Sequence, residues 1–218
     1  MEDEAKQVLT ARGIPVPPCV LARDEESALE MAKKTGFPVV LKIRSPVIVH
    51  KSEHGGVCLD LKDEAAVRAA FRKLMGEAAF LDPDASVAVQ PMAKKGIEVL
   101  IGVTNDSQFG PVIAFGLGGI FTEILKDVSF RMAPIDEFEA EKMINQIKGS
   151  RILKGYRGSP PVDMTMLKKI ISEVSRLAVE YDEIAEMDLN PVVVYPEGAV
   201  VLDARIILKG RGKLENAK

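Results

Sequence analysis

The chain has 218 residues, of which 47% are hydrophobic and 28% are charged, enough for the core of one large domain or of two smaller lobes. Its formal net charge is −3 and only 5% of its residues are aromatic, which disfavours a nucleic-acid-binding or membrane-surface protein. No apolar run approaches the roughly 20 residues that a membrane span requires, and the acidic start MEDEAKQVLT is unlike a signal peptide. We expect a globular protein with neither a membrane nor a nucleic acid as partner.

The first part of the chain predicts helices packed over a small sheet. Helical spacing precedes two glycines, Gly13 and Gly36, a residue type that commonly ends helices. The predicted elements are, in chain order, helices over 2–13 and 24–36, strands FPVVLKI and VCLDL, and an amphipathic helix over 63–81. The proline-rich stretch IPVPP predicts a break after the first helix.

The second part alternates strands with two further helices. The predicted elements are strands VAVQPM, GIEVLIGVTND, PVIAFGLGG and VSFRMAPI, helices over 136–150 and 164–181 around an irregular loop, and strands IAEMDLNPVVVY and AVVLDARIIL. Because many neighbouring strands are joined by short turn signals, we expect antiparallel sheets. The sequence therefore predicts the α+β class with two lobes, residues 1–90 and 91–218, that meet near Gln90 to Met92.

Cysteine usage favours a reducing compartment. The two cysteines, Cys19 and Cys58, belong to no C-x-x-C motif and to no His-rich metal-binding pattern. Cysteine-dense disulfide frameworks are typical of secreted proteins instead. We therefore expect a cytoplasmic location.

Both histidines of the chain stand in the stretch SPVIVHKSEHGGV, residues 45–57. Neutral imidazole is nucleophilic near neutral pH, so His50 is a candidate phosphoryl carrier. The alternative for His50, and more so for His54, is a solvated loop side chain. Gly55 and Gly56 allow backbone N–H groups to approach an oxyanion, or simply form a hairpin turn.

A lysine precedes this stretch inside an apolar strand. Lys42 lies within VVLKI, where a charged amine is costly unless it reaches a cleft or an anion. The alternative is a lysine that extends to water from the end of the strand.

Polar residues alternate with apolar ones near the end of the chain. Glu186, Asp188 and Asn190 share one face of the predicted strand IAEMDLNPVVVY. If Pro196 and Glu197 form the centre of a hairpin, Asp203 becomes the cross-strand neighbour of Asn190. Such hard oxygen ligands suit Mg²⁺ shared with nucleotide phosphates, and a solvated polar face is the alternative.

Two further stretches are candidate binding regions. Backbone groups near Gln90 and Met92 could take an adenine, with Glu98 on the next strand, or this stretch could be a simple connection. The stretch FGLGGIFTEILKDVSFR could border a ligand or a partner, and a surface charge cluster is the alternative for Lys126 and Asp127.

Five stretches in family order over nearly the whole chain resemble the ATP-grasp β subunit of ADP-forming acyl-CoA synthetases (acetate–CoA ligase type). They are GIPVP, GFPVVLKIRSPVIVHKSEHGGV, QFGPVIAFGLGGIFTEILKDVSFRMAPI, LKGYRGSPPVD and AEMDLNPVVVYPEGAVVLDARIIL. The family is related to succinyl-CoA synthetase, whose β subunit carries similar EINP and LDA signatures. The resemblance implies an ATP-grasp fold that holds ATP or ADP with Mg²⁺ between two lobes.

The resemblance also implies a reaction in which acyl-CoA, ADP and phosphate are converted reversibly to a free acid, ATP and CoA. A CoA-binding α subunit makes an acyl phosphate, and the phosphoryl group passes through a histidine of that subunit to a histidine of the β subunit. Because the chain has no recognisable CoA-binding Rossmann motif, we expect it to be inactive alone and to form a heteromer, with two copies of each subunit.

Residue by residue, the resemblance implies the following roles. His50 carries the phosphoryl group, and Asp188 orients the phosphohistidine. Asn190 and Asp203 hold Mg²⁺. Lys42 contacts nucleotide phosphates, Glu98 flanks the nucleotide, and Gly55 and Gly56 form the phosphate-facing loop. This chain reads HKSEHGG where the family more often has a small or aliphatic residue after HKSD, so His54 competes with His50, which we favour by its position.

Two other functions remain open at this point. Related ATP-grasp domains are fused to protein acetyltransferases, so a regulatory nucleotide-binding module is one alternative. Another is an ATP-grasp carboxylate ligase that works through an acyl phosphate directly, although it has no need of the histidine loop.

Overall fold

We describe the fold from a computed structural model, which describes residues 1–48, 55–78, 81–119 and 127–210. These residues form two compact units. The first comprises Pro17–Lys94 with Met1 and Asp3. The second comprises Glu2, Glu4–Val16 and the chain from Lys95 to the end of the described residues.

The described part of the first unit contains two helices and four antiparallel strands. Its elements are β1 (Val20–Ala22), α2 (Glu25–Thr35), β2 (Val39–Arg44), β3 (Val57–Leu61), α3 (Glu64–Ala78) and β4 (Ser86–Pro91), with strand order β1-β4-β2-β3. Both helices pack on one face of the sheet, where alternate residues such as Leu41, Ile43 and Val89 are buried. The opposite face is therefore left for other side chains of β2 and β4.

Helix α2 begins and ends where its sequence predicts. The Asp24 carboxylate accepts a hydrogen bond from the Ser27 N–H at 2.8 Å and completes a capping box. Gly36 ends the helix with φ of 87°, a conformation that glycine adopts without strain. Strand β1 was not predicted, because three residues after a proline-rich stretch give no periodic signal. It forms by pairing with β4, from Val20 opposite Val89 to Ala22 opposite Val87.

The described part of the second unit packs helices on one face of an antiparallel sheet. Its elements are α1 (Glu2–Ala11), β5 (Ile97–Asp106), β6 (Gly110–Leu117), β7 (Val128–Met132), α4 (Glu137–Gln146), α5 (Ser150–Leu153), α6 (Met164–Glu180), β8 (Ile184–Val194), β9 (Ala199–Val201) and β10 (Ala204–Leu208). The strand order is β10-β8-β5-β6-β7, and β9 pairs with β8. Helix α6 supplies buried residues to the core that it forms with this sheet. Among the described strands every pairing is antiparallel, so the predicted α+β class is confirmed.

Helix α1 belongs to the second unit, whereas the prediction of a lobe over residues 1–90 placed it in the first. Ala5, Leu9 and Ile14 are buried in the core of the second unit. The Val201 N–H donates a hydrogen bond to the Pro15 carbonyl at 2.9 Å. Position in the sequence placed α1 with the wrong unit, because the apolar face of an amphipathic helix can pack on any apolar surface that the chain can reach.

Two further elements differ from their predictions. The segment AVVLDARIIL, predicted as one strand, is divided into β9 and β10 opposite Pro191, which has no N–H to donate to the ladder. The predicted loop after residue 150 contains the short helix α5. The Asp127 carboxylate stabilises the approach to α5 by accepting hydrogen bonds from the N–H groups of Lys148 at 2.8 Å and Gly149 at 2.7 Å. Asp127 thus anchors the backbone before α5, and Lys126, the other residue of the expected surface charge cluster, lies outside the described residues.

Within the described ranges, no helix is both long and apolar enough to cross a bilayer.

Asp163 joins the start of α6 to the turn between β8 and β9. Its carboxylate accepts hydrogen bonds from the N–H groups of Met166 at 2.9 Å and Gly198 at 2.8 Å. Its own N–H donates to the Tyr195 carbonyl at 2.7 Å. These backbone N–H donors, Met166 first, lower the pKa of Asp163 below its ordinary value of 3.8.

We predict that Asp163→Ala lowers the free energy of unfolding by about 1–2 kcal/mol, since it removes a helix cap. Because the folded-state pKa is depressed, this stability is present above the ordinary Asp pKa of 3.8 and is lost as the pH falls through the folded-state value. Urea unfolding should therefore show a difference between wild type and variant that is constant near neutral pH and shrinks in acid. Lys169→Ala, on the exposed side of the same helix, should change stability by less than about 0.5 kcal/mol. A difference that is independent of pH would contradict this role.

Candidate active site

Strand β8 separates polar and apolar side chains onto opposite faces of the second sheet. Glu186, Asp188 and Asn190 are exposed, whereas Met187 and Leu189 are buried in the core. The predicted common face for the three polar residues is confirmed. It is the sheet face opposite to the helices.

Asp203 lies beside Asn190, as the hairpin count predicted. The Tyr195 N–H donates to the Gly198 carbonyl, which places Pro196 and Glu197 at the centre of the turn. The register is the same on both sides of the break between β9 and β10: Val192 pairs with Val201, and Leu189 pairs with Ala204. The Asn190 N–H accordingly donates to the Asp203 carbonyl at 3.2 Å.

A buried lysine from the other end of the chain fixes the backbone next to Asp203. Lys6 is 3% exposed, and its Nζ donates to Glu2 Oε1 and to the Leu202 carbonyl, both at 2.8 Å. Burial of both charges is offset only when they stay in close contact with further hydrogen bonds, which the Leu202 carbonyl supplies here. The sequence pattern gave no sign of this contact, since Lys6 and Leu202 are 196 residues apart.

Asp188 lies in an acidic environment that one cation offsets. Its pKa is raised above 3.8, first by desolvation and then by the charge of Asp203, while Arg205 opposes the shift and Glu186 adds to it. The Asp188 residue as a whole is exposed to solvent. The desolvation therefore comes from neighbouring groups that reduce the hydration of its carboxylate. Arg205 stands directly opposite Asp188 in the sheet and was not singled out from the sequence.

Glu98, at the start of β5, is held by the glycine-rich end of β6. The Gly118 N–H donates to the Glu98 carbonyl at 2.7 Å. A Cβ atom at Gly118 would lie 2.9 Å from Glu98 Cβ and 3.0 Å from its carbonyl carbon. Only glycine permits this close approach, so Gly118 sets the position of Glu98.

Lys42 and Gln90 share a face of the first sheet. Lys42 pairs with Ala88, and Val40 pairs with Gln90, so both polar side chains lie on the face opposite to the helices. Lys42 is 7% exposed and Gln90 is 3% exposed. The alternative in which Lys42 extends to water is therefore wrong.

The remaining predicted residues of the first unit are placed by their backbones. The Met92 N–H donates to the Pro38 carbonyl at 3.0 Å, and the Ile43 N–H donates to the Gly56 carbonyl at 2.8 Å. Gly55 has φ of 65°, which suits glycine. His50 and His54 lie outside the described residues.

No cluster of three or more His, Cys, Asp or Glu side chains suited to a metal occurs in the part of the chain that the structure describes. Asn190 and Asp203 supply two hard oxygen donors at neighbouring positions. This number suits Mg²⁺, which is usually bound by one or two protein carboxylates together with waters and substrate phosphates.

Comparison with known proteins places these residues in a family. A family model described as an ATP-grasp domain matches residues 1–208. The chain is also 48% identical to the acetate–CoA ligase (ADP-forming) I subunit beta of Pyrococcus furiosus, over 95% of this chain and 91% of that protein. The chain belongs to the ATP-grasp family of ADP-forming acetate–CoA ligase β subunits. The resemblance inferred from the motifs is confirmed.

Solved structures agree with this membership of the ATP-grasp family. An acetyl-coenzyme A synthetase 1 of Candidatus Korarchaeum cryptofilum, in complex with coenzyme A, Ca-AMPCP and HgCl⁺, matches with a TM-score of 0.91 and 48% identity, over 95% of this chain and 92% of that one. A second structure of that protein contains coenzyme A and Mg-AMPPCP, with its phosphohistidine segment pointing towards the nucleotide binding site. It matches with a TM-score of 0.83 and 46% identity, over 96% of this chain and 92% of that one. The predicted ATP-grasp fold is confirmed.

We predict that Gly118→Ala destabilises the chain by about 1–3 kcal/mol, because the added methyl group overlaps the backbone of Glu98. Gly76→Ala is the matched control: a Cβ at that helical position meets nothing within 4 Å, so the variant should be neutral or up to about 1 kcal/mol more stable. Urea unfolding of the two variants measures the contrast. Equal stability of the two variants would contradict the prediction, because it would show that Glu98 can shift without destabilising the chain.

Proposed function

We propose that this chain is the nucleotide-binding β subunit of an ADP-forming acyl-CoA synthetase. The enzyme converts acyl-CoA, ADP and phosphate reversibly to a carboxylic acid, ATP and CoA. The task of this subunit is to pass a phosphoryl group between a histidine and the nucleotide. The observation that carries the proposal is the pairing of Asn190 with Asp203, beside Asp188 on one sheet face, in a chain of this family.

The names of the relatives support this assignment. The Pyrococcus furiosus protein is an ADP-forming ligase subunit, and the Korarchaeum structures hold nucleotide analogues, one with a phosphohistidine segment directed at the nucleotide site. No observation favours a regulatory module. In our assignment the ATP or ADP contacts are made by Lys42, Gly55, Gly56, Gln90, Met92 and Glu98.

Lys42 has the properties that a phosphate-binding residue needs. Its ammonium group is carried by a buried strand, so the position of the side chain is restricted before any ligand arrives. Phosphoryl transfer depends mainly on positioning of the reacting groups and on neutralisation of their charge. A positive charge stabilises the phosphates more strongly where water is excluded.

Asn190 and Asp203 are the residues that would hold Mg²⁺. Their amide and carboxylate oxygens fit this cation, and the hydrogen bond between their backbones keeps the two positions together. When bound, Mg²⁺ offsets the negative charge of the nucleotide phosphates. The Lys6 contact to the Leu202 carbonyl restrains the chain one residue before Asp203.

The phosphoryl group is transferred to and from His50. In the ATP-consuming direction the unprotonated imidazole nitrogen attacks the γ-phosphorus, and an N–P bond forms as the bond to the bridging oxygen breaks. ADP leaves with the electron pair of that bond. The other ring nitrogen keeps its proton and donates a hydrogen bond to the Asp188 carboxylate, which stabilises the positive charge of the phosphorylated ring. The reverse sequence makes ATP.

A partner completes the enzyme. The Pyrococcus furiosus relative is one subunit of its ligase, which supports an assembly with an α subunit. We assign CoA binding and formation of the acyl phosphate to that subunit, in a heterotetramer with two copies of each chain. A cytoplasmic location stays a prediction.

We predict that Asp203→Asn weakens Mg²⁺-dependent nucleotide binding by at least the roughly tenfold loss that even an outer-shell substitution causes at metal sites. The reason is the loss of the single carboxylate of the Asn190–Asp203 pair. Glu197→Gln removes the same charge from the exposed turn of the same hairpin and should leave binding unchanged. Calorimetric titration with ADP at several Mg²⁺ concentrations measures the effect. Equal affinities of the two variants would contradict the metal assignment.

We predict that His50→Ala abolishes acid-labile labelling of this chain when it is mixed with its α partner and radiolabelled Mg·ATP. ATP formation from acyl-CoA should fall by at least about 10³-fold, since the variant lacks the group that is covalently modified. His54→Ala is the matched control and should keep its label, which also decides between the two histidines. Unchanged labelling of His50→Ala would reject the carrier role.

A further inference from the structure

We propose that Arg205 binds the phosphoryl group during its transfer between His50 and the nucleotide. This proposal rests on the function proposed above. It adds a residue to which the sequence motifs assign no role. The evidence for it comes from the polar face formed by β8 and β10.

Arg205 lies on the polar face that carries the candidate site. It pairs with Asp188 across β10 and β8, and cross-strand partners place their side chains on the same face of a sheet. Its side chain is exposed, so it can meet an incoming ligand. Asp203, which is two residues earlier in the chain, is also close enough for its charge to act on Asp188.

Space for a small anion lies directly beside this pair. The lining of a shallow groove of about 260 Å³ includes Glu186, Asp188 and Arg205 among smaller and apolar residues. Its floor is low because Gly102 lies opposite Asp188 on one side and opposite Ala114 on the other. Small residues at these positions leave room above the sheet for a phosphoryl group.

The carboxylates of this face disfavour an anion unless a positive charge lies near it. Glu186, Asp188 and Asp203 would together repel a phosphoryl group that approaches the face. Among the described residues that line the groove, Arg205 is the one cation. A guanidinium group donates parallel hydrogen bonds to two phosphoryl oxygens, a geometry that a lysine ammonium group cannot offer.

The competing explanation is an ordinary cross-strand ion pair between Arg205 and Asp188. Such an exposed pair contributes little to stability, and its loss would leave the rate of phosphoryl transfer unchanged. A kinetic test therefore separates the two roles.

The test uses this chain in complex with its α partner and measures the single-turnover rate of His50 labelling from radiolabelled Mg·ATP. We expect Arg205→Gln to lower this rate about 10²-fold or more, as for loss of one donor to a developing oxyanion, with the apparent ATP affinity unchanged. Arg205→Lys should recover roughly tenfold of the loss, because it keeps the charge without the planar fork. Lys209→Gln is the matched control: it removes the same charge just beyond β10, where Lys209 contacts the exposed Asp182, and should label at the wild-type rate.

The outcomes separate this proposal from the proposed function. If wild type is not labelled, or if His50→Ala is labelled equally, the carrier function fails. If labelling requires His50 but Arg205→Gln reacts within about threefold of the wild-type rate, the role of Arg205 is overturned and the carrier function stands. A loss of ATP affinity that accounts for the whole effect would also overturn it, since Arg205 would then bind the nucleotide and not the group in transfer.

Discussion

The register between β8 and the strands that return along it is the constraint on which the candidate site depends. Side chains alternate across a strand, so a slip of one residue would bring Met187 and Leu189 to the open face and turn Asp188 and Asn190 towards the helices. Burial of Met187 and Leu189 excludes that slip. The turn centred on Pro196 and Glu197 then decides which residues of the returning chain lie opposite. Burial of apolar surface on one face thus determines where oxygen ligands meet on the other.

The same arrangement concentrates negative charge. Desolvation raises the pKa of Asp188, and the charges of Asp203 and Glu186 raise it further. A fold selected for stability alone has little reason to bring these groups together, which is why such clusters are common at functional sites. Arg205, on the sheet beside Asp188, opposes this negative charge, and Lys6 restrains the backbone before Asp203 by its hydrogen bond to the Leu202 carbonyl. Both are intelligible as supports for a site that must receive phosphates.

Much of the fold could be predicted because its elements are long and periodic. The strand β5 follows directly from its alternation of apolar residues, and the helix α6 from apolar residues spaced three and four positions apart. The elements that were missed are short and owe their stability to distant partners: β1 to its pairing with β4, and α5 to the two hydrogen bonds that the Asp127 carboxylate accepts near its start. Helix α1 was assigned to the wrong unit for a related reason, since its apolar face does not specify what it covers.

The sequence by itself determined the family, through long motifs, and the meeting of Asn190 with Asp203, because a two-residue turn and a period of two residues give the register of a hairpin without further information. Tertiary structure alone decided that Lys42 is buried and that Gly118 holds Glu98. It also decided that Lys6 binds the Leu202 carbonyl and that Arg205 lies opposite Asp188. These facts depend on contacts between segments that are far apart in the chain, or on strand pairings that local periodicity does not predict. Local periodicity specifies the face on which a residue lies, whereas packing of the whole chain specifies its neighbours there.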